Sequence, residues 1–388
     1  MTDSFSVVTD QSWLGRLGNA IKGVIFGGIL FAAMIILLFW NEGRAVHRAK
    51  SLRHLGAAAV TIDFTSVNPA NEGKVVHLMG VKADTTETLV DNDFGVSVNA
   101  LRLLRLTPMY QWVEIEKKET RNKFGGGSET VTTYSYEKQW KSDRVKSEEF
   151  HSGGQAGHVN PDKQFNNKPF DATTITAGAF TLSGSLAAKI TASAPLTVDI
   201  AKVPAARAAK SIEGGVYLGK DPMNPELGDQ KILFSAVKPA VVSLVAVQSG
   251  KTFRPFDDPD GNGTAELLQA GTLTKDQLVT AAENANAQLT WILRGVGFVV
   301  MWIGLMIVFA PLKILADVIP FIGELMGAGI ALISLLLAGT VSLITVAIAW
   351  IVYRPLLGVG LLLAAAALLV CIRAMRKKKS LPLAAPAV

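Results

Sequence analysis

A single cysteine, Cys371, stands in the whole chain, so no disulfide can close within it and no four-cysteine zinc site can be built. Charge is scarce as well. Asp, Glu, Lys and Arg supply 18% of residues, against roughly a quarter in an average soluble chain, while hydrophobic residues reach 49%. The apolar excess is concentrated at the two ends, which argues against a purely soluble enzyme and for a membrane protein. Common catalytic signatures are missing too. The five histidines, His47, His54, His77, His151 and His158, include no His-x-x-x-His pair, and neither Gly-x-Ser-x-Gly nor Gly-x-x-x-x-Gly-Lys-Ser/Thr occurs. The net charge of +6 does not require a nucleic-acid partner, because five basic residues sit in one cluster, Arg373, Arg376, Lys377, Lys378 and Lys379.

What is present is a set of long charge-free runs. Gly23 to Trp40 contains no Asp, Glu, Lys or Arg, and at about 1.5 Å per residue it crosses a ~30 Å hydrocarbon core. Phe39-Trp40-Asn41-Glu42 follows it where a signal peptide would need small residues for cleavage, so the run reads as an uncleaved anchor. Trp13, Leu14, Leu17 and Ile21 recur at helical spacing ahead of it, which suggests an amphipathic segment over residues 1–22. Gly295 to Leu312, Leu325 to Tyr353 and Pro355 to Ile372 are charge-free as well. They predict three further spans, at residues 290–312, 325–353 and 355–372, with Tyr353-Arg354-Pro355 as the turn before the last. Gly23 and Gly27 form a small-x-x-x-small pair suited to close helix packing. The basic tail, residues 373–388, favours the cytoplasm. Four crossings would then put both ends inside and the region between the first two spans outside.

That region, residues 41–289, mixes polar and apolar residues and is long enough for a core of its own. Lys74 to Met79 and Leu233 to Val247 have the β-branched content of strands. Trp112 to Glu116 and Thr132 to Tyr136 flank Gly125-Gly126-Gly127-Ser128, which predicts a long hairpin. Tyr134, Tyr136 and Trp140 share one face of its second arm at a two-residue period, a stripe best read as core. Gln277 to Gln288 reads as a helix leading into the second span. The fold class is thus a membrane protein with four transmembrane helices, one N-terminal and three C-terminal, around a β-rich α+β extracytoplasmic domain.

Searches for chemistry return bland answers. Asp258-Pro259-Asp260-Gly261-Asn262-Gly263 matches the start of a calcium loop, but position 12 is Gln269 and not the bidentate Glu that such a site requires. His158 with Asp162 or Glu148 could be drawn as a proton-transfer pair, yet spacing alone favours an ordinary loop histidine. Asn-Glu-Gly followed by Arg or Lys occurs twice, at Asn41 and at Asn71, with flanks that do not repeat. Glycine there can end a helix or turn a corner. No catalytic, cofactor-binding or metal-ligating residue is nominated.

Several unusual strings recur in a fixed order: Ser12-x-Leu14-x-Arg16-Leu17, Asn41-Glu42-Gly43-Arg44-Ala45, Asn71 to His77, Met109-Tyr110-Gln111-Trp112-Val113-Glu114, Tyr134-Ser135-Tyr136, Trp140, His158-x-Asn160-Pro161, Pro225-Glu226-x-Gly228-Asp229, Trp291-x-Leu293-Arg294 and Trp350-x-x-Tyr353-Arg354-Pro355-Leu356. Together they resemble the transmembrane protein 43 (LUMA) family over nearly the full length. The loop around Gly125 and the region from Leu186 to Lys210 match poorly. The resemblance implies a four-span endomembrane protein of the endoplasmic reticulum and inner nuclear membrane, a scaffold with a large lumenal domain and no enzymatic activity. Alanine-rich spans and a domain without cysteine suit a bacterial inner-membrane member with the domain in the periplasm; the endoplasmic reticulum is the alternative. Structural or interaction candidates are Asn41, Glu42, Gly43, Arg44, Tyr110, Trp112, Tyr134, Tyr136, Trp140, Arg294, Tyr353, Arg354 and Pro355. Expected partners are the lipid bilayer, further copies of the chain and other membrane or envelope proteins, with no nucleic acid and no cofactor. A channel or transporter component is the rival reading, and an envelope hydrolase the third.

Overall fold

The computed structural model describes residues 3–151, 157–356 and 360. The chain divides into two compact units. A β-rich unit comprises Met1–Asp10, Ser51–Arg121 and Glu129–Glu283, and a helical unit comprises Gln11–Lys50, Asn122–Ser128 and Asn284–Val388.

The longer elements are β1 (Asp3–Gln11), α1 (Trp13–Ala58), β2 (Val75–Asp84), β3 (Arg102–Leu106), β4 (Met109–Asn122), β5 (Ser128–Lys141), β6 (Gly215–Leu218), β7 (Gln230–Val237), β8 (Ala240–Ser249), β9 (Leu267–Ala270), α2 (Lys275–Ala316) and α3 (Pro320–Tyr353). Two large sheets build the β-rich unit. In the first, β1, β5, β4, β7 and β6 lie in that order, and β3 also pairs with β7. The predicted hairpin is therefore present as β4 and β5. In the second sheet β2 and β8 pair antiparallel at its centre, with β9 on the other edge of β8. The single strand-like run from Leu233 to Val247 is in fact two strands in different sheets, broken at Lys238-Pro239. The proline lacks the N–H that a continuous ladder would use.

Strand β8 is apolar at every position from Ala240 to Val247 except Ser243 because both of its faces are covered. Val242, Leu244 and Ala246 join a core with Val76, Leu78, Phe180 and Phe253. Val245 and Val247, on the opposite face at the two-residue period, pack with Leu52 and Leu55 of α1 and Leu278 of α2. Those three leucines are fully buried, each contributing about 2 kcal/mol by area.

The helices start where local chemistry allows. Ser12 Oγ accepts from the Gly15 amide at 3.2 Å and caps α1. Thr274 and Gln277 form a reciprocal capping box at the start of α2: the Gln277 amide donates to Thr274 Oγ1 and the Thr274 amide to Gln277 Oε1. The helix expected from Gln277 is thus continuous with the second span. Residues 1–22 differ from expectation, since Asp3–Gln11 is a strand and only Trp13 onward is helical.

Among the described residues three helices, α1, α2 and α3, are long and apolar enough to cross a membrane. Within the helical unit α1 and α2 touch backbone to backbone: a Cβ on Gly27 would lie 2.6 Å from the Gly304 carbonyl oxygen. The predicted Gly23/Gly27 pair supplies that contact, with Ile307 above both. Trp302 Nε1 donates to the Ala331 carbonyl and ties α2 to α3. The expected fourth span and the basic tail lie outside the described residues, apart from Pro355, Leu356 and Gly360.

Candidate functional site

The first Asn-Glu-Gly-Arg string does not end a helix; α1 runs through it, and its four residues serve different contacts in the helical unit. Asn41 Nδ2 donates to the Thr290 carbonyl at 3.1 Å. Glu42, fully buried, accepts from Arg294 Nε at 2.6 Å, Arg294 Nη2 at 2.8 Å and Trp350 Nε1 at 2.8 Å. Arg44 reaches Asn286 Oδ1 at 3.0 Å and Thr290 Oγ1 at 3.1 Å. Gly43 leaves room for Tyr353, since a Cβ there would sit 2.6 Å from the ring. The Tyr353 ring rests against Phe39 and His47, with centroids 5.4 and 6.0 Å away.

Three strings distant in sequence thus meet at one junction of α1, α2 and α3. The forked Arg294–Glu42 pair fixes two planes at once, which a lysine could not do. The Arg294 guanidinium also stacks over Trp291 at 4.6 Å and Trp350 at 5.7 Å. Such a pair contributes little net stability relative to an apolar core but is costly to break by halves, so it selects one packing of the three helices. Arg354 follows the last residue of α3 and donates its backbone N–H to the Trp350 carbonyl at 2.8 Å.

A second ionic cluster, missed in the sequence, lies at the opposite ends of the α1 and α2 apolar runs. Arg16 Nη2 meets Asp317 Oδ2 at 2.5 Å, Trp13 Nε1 donates to the Ile314 carbonyl, and Arg16 Nη1 donates to the Gly126 carbonyl of the hairpin turn. The available signal was a lone arginine and a lone aspartate at the rims of two charge-free runs. Arg16 and Glu42 are about 39 Å apart along α1 at 1.5 Å per residue, so the two pairs bracket a bilayer-sized apolar stretch. The sequence reading put the hairpin turn outside and Arg16 inside, whereas here they touch. Strand β1, next to β5 in the sheet, likewise joins the domain that the four-span scheme puts across the membrane from it.

The aromatic residues of the hairpin belong to the β-rich unit and pack as a layer. Tyr136, 3% exposed, stacks on His158 at 4.1 Å, and Tyr134 stacks on His151 at 4.1 Å and on Phe5 at 5.4 Å. Trp112 meets His158 edge-on at 4.6 Å, and Trp140 packs between Tyr110 and Tyr217. His158 is therefore occupied by rings, while Asp162 and Glu148 both pair with Arg144, and no proton-transfer pair forms among them.

The Asp258 loop closes on α1. His54 Nδ1 lies 3.1 Å from both Asp258 carboxylate oxygens, and Asp260 stands 3.9 Å from His54 Nε2. Among the described residues these three form a group of ligand atoms able to hold a metal ion, all within 4.8 Å of one another. Burial opposes the charge on Asp258, but the Asp260 amide, His54 and Asn262 outweigh it and hold its pKa below the ordinary range. Gln269, at the twelfth loop position, instead sits on β9 opposite Ser243. The second string, Asn71-Glu72-Gly73, lies at a turn where Glu72 accepts from the Gly250 amide and Gly73 takes a φ of +72°, so the two copies have unrelated roles.

The family model described as Transmembrane protein 43 matches residues 109–355. Transmembrane protein 43 of Rattus norvegicus is 32% identical over 357 residues, covering 89% of this chain and 88% of its own. The Homo sapiens protein is 32% identical over 361 residues, covering 90% and 88%. The Drosophila melanogaster homolog is 30% identical over 357 residues, covering 88% and 92%. No solved structure matches the chain.

Proposed function

The chain belongs to the transmembrane protein 43 family, and from that premise we propose that it is an integral membrane scaffold or assembly protein that presents its β-rich domain to protein or envelope partners and self-associates. One observation carries this reading: α1 and α2 run without a linker from their apolar stretches to Leu52, Leu55 and Leu278 in the domain core. Anchoring a domain at both ends holds copies near one plane, so that even a weak contact between them drives assembly. A conducting role draws less support. The buried ion pairs Arg16–Asp317 and Glu42–Arg294 stand at the ends of the apolar stretch, and the described helices carry no charged pair between them from which to build a path.

The domain faces away from the cytoplasm, into the periplasm in a bacterial inner membrane. The eukaryotic relatives favour a second location, the endoplasmic reticulum or nuclear envelope with the domain in the lumen. Cross-linking in native membranes, followed by mass measurement over a range of expression levels, tests the function. Oligomers that persist at low expression, with co-captured membrane proteins, are expected. A monomer at every level, or solute flux through purified monomers in liposomes, would remove the scaffold reading.

A further inference from the structure

The short hairpin of Phe256–Asp257 and Thr264–Ala265 turns through Asp258 to Gly263 and closes against α1 on a shared core. Leu52 and Leu55 of α1 and Ala265 of the hairpin are buried together there, with Phe256 packed against them. Between those two leucines in sequence stands His54, whose ring meets the turn: Nδ1 lies 3.1 Å from both Asp258 oxygens and Nε2 3.9 Å from Asp260 Oδ2. The turn is held in place as well. Ser51 Oγ donates to the Gly263 carbonyl at 3.5 Å, and the Asp258 amide donates to that same carbonyl at 3.1 Å.

Charge is left over at the base of this site. The Asp258 carboxylate has no exposed surface, and its one ionic partner among the described residues, His54, is charged only when protonated. A buried carboxylate without a permanent counter-charge is costly. We propose that a divalent transition-metal ion, zinc in first place, binds between His54, Asp258 and Asp260 and ties the turn to α1.

The donor set chooses the metal. One imidazole nitrogen with two carboxylate oxygens suits zinc, whereas calcium takes about six to eight oxygens. Distances allow it. Ligand atoms about 2.1 Å from one ion stand no more than about 4.2 Å apart, and these lie within 4.8 Å of one another, so a small closing movement gathers them. Asp260, its side chain 68% exposed, has room to make that movement. Asp258 is oriented already, since the Asp260 amide donates to its Oδ1 at 2.9 Å and the Asn262 side chain bonds to it too. Three protein ligands leave the fourth zinc position to water or to a side chain of a binding partner.

The full chain in detergent, stripped with EDTA, is titrated with Zn²⁺ by calorimetry. One saturable site per chain is expected, weakened at least tenfold in Asp260→Asn and in His54→Gln. Because the Asp260 carboxylate is exposed, Asp260→Asn should leave the metal-free melting temperature unchanged, which separates a lost ligand from a lost fold. Absence of saturable Zn²⁺ binding, or binding that both variants retain, would overturn the proposal and leave His54 and Asp258 as an ion pair. Displacement of Zn²⁺ by an equal concentration of Ca²⁺ would overturn the choice of metal.

Discussion

Neutralising Glu42 without changing its shape is the sharpest test of the junction. In Glu42→Gln the Arg294 side chain, 16% exposed, loses the one carboxylate that it pairs with among the described residues, while Trp350 Nε1 keeps an acceptor. Breaking a buried pair by one partner costs about 3–5 kcal/mol, and the retained amide oxygen puts this variant near the lower end. Arg294→Leu should cost more, because it strands a carboxylate that is fully buried where the guanidinium is not. The double variant Glu42→Met with Arg294→Leu removes both charges and their desolvation, so it should recover to within about 1 kcal/mol of wild type. The single Glu42→Met closes the cycle, and two singles of about 3 kcal/mol or more against a double of about 1 give a coupling of about 5 kcal/mol. Reversible unfolding of the detergent-solubilised full chain, followed by loss of helical circular dichroism, measures all four corners. If Glu42→Gln falls within about 0.5 kcal/mol of wild type, or the double costs as much as both singles added, the pair does not select the packing and the reasoning fails.

Two further outcomes are expected. His77 is held neutral: burial foremost, with help from Lys275, lowers its pKa against the Leu273 carbonyl and Asp276, and its Nδ1 faces the Thr61 hydroxyl. A depressed histidine pKa contributes stability that is present above the unfolded value near 6.5 and lost as pH falls below it, so domain stability should drop as pH falls below about 6.5, and His77→Gln should flatten that slope. For topology, an alkaline phosphatase reporter is expected to be active at Gly126 and inactive at Val388 and at the N-terminus. The contact of Gly126 with Arg16 and the pairing of β1 with β5 put residues 3–16 on the domain's side, so the N-terminal fusion decides between these contacts and the crossing. Activity at both Gly126 and the N-terminus would overturn the crossing at residues 23–40.

The sequence by itself determined three of the four expected apolar helices and the β-rich character of the region between the first two. Charge-free runs of bilayer length, the Thr274–Gln277 cap and the glycine-rich hairpin turn are local signals, and each is read within one or two dozen residues. The Gly23/Gly27 contact was legible for the same reason, since helical spacing alone places both on one face. Only the tertiary structure decided what Glu42 is for. Its partners, Arg294 and Trp350, lie some 250 and 300 residues away, and no periodicity links positions that far apart. The same holds for Arg16 and Asp317, for the division of Leu233 to Val247 between two sheets, and for His54 closing the Asp258 loop. Each is a choice among many equally patterned alternatives, made by burial: a charge taken out of water must find its counterpart, and which one it finds depends on the packing of the whole chain.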